Sequence, residues 1–331
     1  DMRKLTRFAT GLSVVTYEFE NVPVTSVRFL TRLVPVYPPP DALEAAQDRL
    51  NEKSLFRELK IPTPAFAPVD SLEELIRALE RMGLPAVVKT RRLGYDGKGQ
   101  QVLYAYAEAP RAWQALGGSR LIVENLIPFE REVSLIAVRG KEGQTAFYPL
   151  IENHHTEGIL RLSLAPAPNL TPELQAEAEE YGRRILDALN YVGVLAVEFF
   201  QTQQGLLANE MAPRVHNSGH WSIEGAETSQ FENHLRAILG LPLGLTEVRR
   251  PSAMLNLIGK IPDPATVLDV PHTHLHLYGK AARPGRKLGH VTVCAPSPEE
   301  RAECLAQLCN RIRWRLPRTG NPQRAKPAVG K

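Results

Sequence analysis

The stretch LAVEFFQTQQGLLANEMAP, residues 195–213, constrains the fold more than any other part of this chain. Two strand-like runs flank Gln203-Gln204-Gly205, with glycine where a left-handed residue is needed, so the spacing predicts a β-hairpin with a three-residue connection. In that register Glu198 and Glu210 stand directly opposed on one face, with Cβ atoms about 5 Å apart. Like charges so placed destabilise a hairpin unless a cation lies between them, and a divalent ion with oxygen ligands fits. The alternative is a surface hairpin with both carboxylates in water. Against it, Val194 to Phe200 is apolar apart from Glu198, which isolates that acid on a strand expected to be buried.

The surrounding chain reads as soluble and globular. Its 331 residues, 43% hydrophobic and 23% charged, suit two or three domains at roughly 100–200 residues each. Apolar runs such as 121–123 and 194–197 are too short to cross a bilayer and no basic-then-apolar leader precedes them, so a cytoplasmic location is expected. The net charge of +4 is concentrated at one end: residues 311–331 hold seven Lys or Arg and no Asp or Glu, which leaves −3 on residues 1–310. That tail is expected to be a flexible extension, and nucleic acid is not the expected partner. Cys294, Cys304 and Cys309 match no metal spacing and read as reduced core thiols. The chain begins at Asp1 without an initiator Met, from which a missing upstream portion is expected.

Periodicity and punctuation predict strands at 12–19 and 34–37, then a helix from Asp41 to about Leu59 and a second helix capped by Ser71 and ended by Gly83. Strands are expected at 85–90, 101–106, 120–124, 132–138, 145–151, 158–164, 192–200 and 205–211. Helices are expected at 171–190, 226–240 and 297–313, with short β segments over 250–295. Helices and strands in both orders, with several hairpins, indicate α+β or α/β layers with mixed sheets.

Phosphate chemistry is suggested next to the hairpin. The segment LGYDGKGQ, 93–100, carries Gly94, Gly97, Gly99 and Lys98, whose backbone N–H groups and ammonium could fold over phosphates, although a plain hairpin loop explains it equally. Lys89 closes the buried run AVVK and needs an anionic partner there. Together with a dicarboxylate metal site these point to a nucleoside triphosphate. Arg214, His216, Asn217, Ser218 and His220 follow Glu210 closely and suggest a pocket for a polar anion, with an ordinary capped loop as the competing view.

At these residues the chain resembles the ATP-grasp enzymes and, within them, the N5-carboxyaminoimidazole ribonucleotide synthetases. The resemblance is carried by TYEFENVP (16–23), DRLNEKSLFRELKIPTP (48–64), VVKTRRLGYDGKGQ (87–100), NHHTEGILRLSLAPAP (153–168), NEMAPRVHNSGHW (209–221) and YGKAARPGRKLGH (278–290). It implies an ATP-grasp fold with a truncated N-terminal α/β domain over 1–48, two lobes clamping ATP over 49–245, a small C-terminal β-rich domain over 246–313 and the basic tail 314–331. It implies ATP-dependent carboxylation of 5-aminoimidazole ribonucleotide with bicarbonate, through carboxyphosphate, in purine biosynthesis. Family members often pair as homodimers.

Position by position, the resemblance implies that Lys53 and Lys89 contact the phosphates and that Gly94, Tyr95, Asp96, Gly97, Lys98, Gly99 and Gln100 form a lid. Glu124, Asn125, Leu126 and Ile127 would read adenine, Glu132 would bind the ribose, and His155 would lie near the nucleotide. Glu198 and Glu210 would hold Mg²⁺, or Mn²⁺ in its place, with Asn209 alongside. Arg214, His216, Asn217 and Lys280 would surround bicarbonate. Glu18, Tyr95, Asp96, Lys98, Lys280, Arg286 and Lys287 would bind the ribonucleotide. Two departures stand out: the family's opening GGGQLG strand and turn are lacking, and Ala212 stands where related carboxylases often place Asn. The nearest alternative is an ATP-grasp ligase activating formate or an amino-acid carboxylate. A polynucleotide binder acting through the tail and an ATP-binding scaffold without activity are the others.

Overall fold

The computed structural model describes residues 1–94 and 97–315. Tyr95, Asp96 and most of the basic tail lie outside the described residues. The smaller of two sheets contains β1 (Phe66–Val69), β2 (Ala86–Thr90), β3 (Gln100–Leu103) and β4 (Leu121–Asn125), antiparallel in the order β1-β4-β2-β3. Leu72, Leu75, Ile76 and Leu79 form one apolar stripe on the helix Leu72–Met82, and that stripe packs on Val69, Val88 and Val123. Ser71 caps this helix by accepting from the Glu74 N–H, and Gly83 ends it.

The larger sheet contains β5 (Arg131–Arg139), β6 (Thr145–Phe147), β7 (Ile151–Thr156), β8 (Ile159–Ala165), β9 (Gly193–Thr202), β10 (Gly205–Ala212), β11 (Ser252–Ile258), β12 (Thr273–Leu277) and β13 (Lys287–Cys294). Its order is β10-β9-β5-β7-β8-β11-β13-β12, with β6 also pairing with β5. The C-terminal strands therefore continue this sheet through the β8–β11 pairing. Both faces of its centre are covered. Leu195, Val197 and Phe199 pack with Ile185 and Leu186 of the helix Pro172–Ala188. Val194 and Ala196 pack on the other side with Trp221 and with Ala237 of the helix Gln230–Leu239. Burial on both faces is why β9 reads as an unbroken apolar run, and Glu198 interrupts it on the second face.

The hairpin itself differs from the expected one. Its turn has two residues, because Thr202 already pairs with Gly205, and the register runs Leu206 opposite Gln201 and Ala208 opposite Phe199. Continued unchanged, it would place Glu210 opposite Val197, inside the first core. A β-bulge at Asn209 absorbs one residue and brings Glu210 opposite Glu198 and Ala212 opposite Ala196, on the second face. The two carboxylates are opposed as expected, but the bulge sets their register.

Other elements depart from the sequence reading for local reasons. The strands expected at 12–19 and 34–37 reduce to one parallel bridge between Val15 and Val36, since Pro35, Pro38, Pro39 and Pro40 offer no N–H donors. The helices Met2–Ala9 and Val24–Leu30 occupy the N-terminal segment instead. The helix expected over 41–59 breaks at Asp48, which is extended and caps a second helix, Arg49–Glu58, by accepting from the Leu50 N–H. Pro149 divides the strand expected over 145–151 into β6 and β7. The strand expected over 101–106 ends at Leu103, where the Glu108 carboxylate takes the N–H groups of Tyr104 and Ala105. Cys294, Cys304 and Cys309 are all buried free thiols, and among the described residues no helix is long and apolar enough to span a membrane.

Candidate active site

A cleft of about 320 Å³ is lined by residues of both sheets, and Glu198 and Glu210 lie on its floor, where β9 and β10 place them. Burial and the Glu210 charge push Glu198 up to about 7. Desolvation in the cleft opposes charge on Glu210 too, although its side chain is more exposed than that of Glu198, but Arg49 at 3.1 Å outweighs it, aided by Lys89 and His155, and holds this carboxyl below its usual range. Arg49 reaches it because the chain breaks at Asp48 and starts a new helix there. Arg91 clamps Asp48 through Nε at 2.9 Å and Nη2 at 2.7 Å. Arg49 was not singled out in the sequence; the signal available was the helix-capping Asp immediately before it.

The buried Asn209 Oδ1 has no hydrogen-bond partner and lies in the bulge beside the two carboxylates. Three oxygen-bearing side chains at one place suit a hard cation. Among the described residues no group of three or more His, Cys, Asp or Glu is arranged to hold a metal alone, so an ion here needs oxygen atoms from a ligand to fill its shell.

Around this floor the cleft gathers many of the expected residues: Gly94, Gly97, Lys98 and Gln100 from the loop, Glu132 and His155 from β5 and β7, and Asn209, Arg214, His216, Asn217 and Lys287. Glycine is required at position 97, where φ is +74° and a Cβ would lie 2.9 Å from the Glu157 carbonyl oxygen, so Gly97 packs against the β7–β8 turn. His155 Nδ1 lies 2.8 Å from Glu132 Oε2. Burial disfavours its charge, but Glu132 prevails and raises it to about 9. His216 Nε2 lies 3.4 Å from Glu198 Oε1, while burial and then Arg214 and Lys287 push this histidine well down, leaving it neutral. Arg214 is held by Glu20 at 2.9 Å. Asn217 and Asn256 exchange amide hydrogen bonds of 3.0 and 2.7 Å, tying the loop to β11.

Other expected residues lie elsewhere. Lys53 and Lys89 sit behind the cleft, their ammonium groups 3.4 and 2.9 Å from the same oxygen of Glu124. Despite its burial, these two lysines lower Glu124 to about 2. Glu124 thus turns its carboxylate toward the lysines, its other oxygen is buried without a partner, and neither it nor Asn125, Leu126 and Ile127 lines the cleft. Gly99 packs against Thr90. The structure does not bring Glu18, Lys280 or Arg286 to the cleft wall: Glu18 is exposed, Lys280 lies over the Tyr278 ring, and Arg286 donates to the Ala281 carbonyl. The acid of TYEFENVP that does line it is Glu20.

Three family models match this chain: the ATP-grasp domain over 54–231, the phosphoribosylaminoimidazole carboxylase C-terminal domain over 252–304 and the ribonucleotide synthetase preATP-grasp domain over 1–47. The N5-carboxyaminoimidazole ribonucleotide synthase of Pseudomonas aeruginosa is 55% identical over 296 residues, which is 89% of this chain and 81% of that protein. The crystal structure of N5-carboxyaminoimidazole ribonucleotide synthetase from Thermus thermophilus is similar at a TM-score of 0.92 and 58% identity, over 96% of this chain and 86% of that one. A synthase from Aspergillus clavatus, solved in complex with ADP and 5-aminoimidazole ribonucleotide, is similar at a TM-score of 0.88 and 32% identity, over 95% and 85% of the two chains.

Proposed function

The chain belongs to the N5-carboxyaminoimidazole ribonucleotide synthases of the ATP-grasp family, and from that premise we propose how its cleft performs the ATP-dependent carboxylation of 5-aminoimidazole ribonucleotide in purine biosynthesis. The observation that carries the reading is the opposed pair Glu198 and Glu210 on the floor of a cleft walled by Arg214, His216 and Lys287.

In this reading Glu198, Glu210 and Asn209 would hold a Mg²⁺ ion, or Mn²⁺ in its place, and the ion would supply positive charge to offset that of the triphosphate. Arg49 and Lys98 would flank the phosphate chain, and Lys53 and Lys89 would supply positive potential from behind it. Glu132 and His155 face the nucleotide from the wall of the larger lobe. A bicarbonate oxygen bonds to the γ-phosphorus as the bond to ADP breaks, giving carboxyphosphate. Arg214 and Lys287 stabilise the charge on that group, and His216 and Asn217 orient it. The amine of the ribonucleotide then bonds to the carboxyl carbon, the bond to phosphate breaks, and the departing phosphate takes up the proton the amine gives up. Carboxyphosphate hydrolyses readily, and Gly97, packed against residues 157–158, would help to exclude water from it. Lys280, Arg286 and Glu18 would reach the ribonucleotide only from outside the cleft wall, and Tyr95 and Asp96 complete the assignment of that substrate. The domain divisions at 48, 245 and 313, a homodimeric assembly and a cytoplasmic location belong to the same reading.

The test is substrate-dependent ADP release by the purified chain with Mg²⁺. Bicarbonate together with the aminoimidazole ribonucleotide is expected to elicit it, whereas formate and glycine are not. Release driven by formate or glycine, and indifferent to the ribonucleotide, would replace the carboxylase reading with the acyl-phosphate ligase alternative.

A further inference from the structure

Behind His216 a chain of small polar side chains crosses the larger sheet. Ser134 on β5 is the register partner of Glu198 on β9, and Asn153 on β7 is that of Ser163 on β8, so strand pairing puts these groups on the face that carries the two carboxylates. Ser134, Ser163 and Ser218 are fully buried and Asn153 nearly so. Their contacts are continuous: Ser163 Oγ to Asn153 Oδ1 at 2.8 Å, Asn153 Nδ2 to Ser134 Oγ at 2.9 Å, Ser134 Oγ to Ser218 Oγ at 2.8 Å, and Ser218 Oγ to His216 Nδ1 at 2.9 Å.

Hydroxyls and a histidine ring can each be read in two directions, so one irreversible donor must set the sense of the chain. The backbone N–H of Ser218 is that donor. It points at His216 Nδ1 from 3.3 Å and can only donate, which requires a lone pair on Nδ1. The Ser218 hydroxyl must then also donate to Nδ1, and its oxygen accepts from Ser134. Ser134 has spent its only proton, so the group facing it from Asn153 must be the NH₂, which leaves Asn153 Oδ1 to accept from Ser163. Every group is satisfied in this one sense, and the remaining proton of the ring falls on Nε2, which faces Glu198.

We propose that Asn153 is a positioning residue that, through Ser134 and Ser218 and together with the Ser218 N–H, holds His216 as its Nε2–H tautomer, so that His216 serves the carboxylation as a hydrogen-bond donor and not as a proton acceptor. The tautomer rests on the contacts above, and its place in the reaction rests on the carboxylase reading. Nε2–H then points toward the acid or oxyanion in front of it, and the proton lost by the ribonucleotide amine goes to the departing phosphate.

Long-range proton–nitrogen NMR on the full chain labelled with ¹⁵N-histidine reads this directly, with the His216 signal assigned by its loss in His216→Gln. The wild type is expected to show a protonated Nε2 and a bare Nδ1. Asn153→Asp replaces the NH₂ with a second acceptor, so Ser134 is expected to donate to it, Ser218 to Ser134, and an Nδ1–H to Ser218, at the expense of the Ser218 N–H bond to Nδ1. The spectrum should shift toward the Nδ1–H form, and kcat should fall by about tenfold or more, the scale of one misdirected hydrogen bond in a transition state, with KM for ATP little changed. Ser134→Ala interrupts the chain without reversing it and should retain the Nε2–H signature, with a smaller loss. A wild-type His216 protonated on Nδ1 overturns the proposal even if Asn153→Asp does not fold. A folded Asn153→Asp with unchanged tautomer and kcat also overturns it. An Nε2–H signature in a chain that lacks ribonucleotide-dependent turnover would instead remove the reaction from beneath it.

Discussion

The charge behind the cleft and the charge on its floor are arranged in opposite ways. Behind it, two ammonium groups share one carboxylate oxygen of Glu124, with Lys53 and Glu124 almost wholly removed from water. On the floor, two carboxylates oppose each other with one nearby guanidinium, and the Glu210 side chain is 42% exposed. The first cluster has an excess of positive charge and is closed by its own ion pairs; the second has an excess of negative charge and is closed only in part. A metal-bound triphosphate carries both complements, with anionic oxygens for one pole and a cation for the other. Glu124 is ionised because lysines flank it, whereas Glu198 is pushed toward neutrality by burial and then by the Glu210 charge facing it. Buried charge that finds its partner inside the chain supports the fold, and buried charge that does not is available to a ligand.

Replacing glutamate with glutamine in each region sharpens this contrast. The largest effect is expected for Glu124→Gln, which leaves Lys53 and Lys89 without their shared anion. Breaking a buried ion pair from one side costs about 3–5 kcal/mol, to be measured as a lower urea midpoint at an unchanged slope. A loss below about 1 kcal/mol would mean that the lysines find other partners, and the cluster behind the cleft would no longer count as self-closed. Next comes Glu210→Gln on the floor, where the fold should survive and ribonucleotide-dependent ADP release should drop by about two to three orders of magnitude, equivalent to about 2.7–4 kcal/mol in the barrier. Turnover close to that of the unmodified chain at saturating Mg²⁺ would refute the metal assignment.

The legibility of these regions from sequence followed the range of the interactions that build them. The helix Leu72–Met82 was readable to its ends because Ser71, Gly83 and the apolar stripe are all local signals. The opposition of Glu198 and Glu210 was also readable, although a three-residue turn was the wrong reason for it. A bulge at Asn209 and a two-residue turn give the same pairing, and an NE dipeptide carries no local mark that separates them. The expectation that Lys89 needs an anion followed from burial alone, but only the β2–β4 pairing shows that the partner is Glu124 and that Lys53 shares it. Arg49 at the cleft went unread because a continuous helix was expected through Asp48. The N-terminal segment was misread because aromatic and β-branched residues resemble a strand even where prolines prevent one from pairing.

Between the two regions stands Glu52, buried on the same helix as Arg49 and Lys53, and it decides where one region ends and the other begins. Its Oε1 accepts the Met211 N–H at 2.6 Å. Burial first, then the Glu210 charge, raise it from its ordinary 4.5 to about 8, so at pH 7 the folded chain holds it largely protonated. The sign follows: a raised value stabilises the fold fully below about pH 4.5 and loses that contribution as the pH climbs through about 8, because the unfolded chain ionises first. Glutamine keeps an oxygen for Met211 and never ionises in either state. Without Mg²⁺ or nucleotide, Glu52→Gln is therefore expected to be more stable than the unmodified chain by about 1–3 kcal/mol at pH 7. That advantage should shrink toward zero as the pH is lowered to about 4.5, which urea unfolding at several pH values can follow. If the variant is instead less stable at pH 8 than at pH 5 relative to the unmodified chain, Glu52 is a third ionised carboxylate. It would then belong to the floor with Glu198 and Glu210, and the boundary between the two regions would have to move to Lys53.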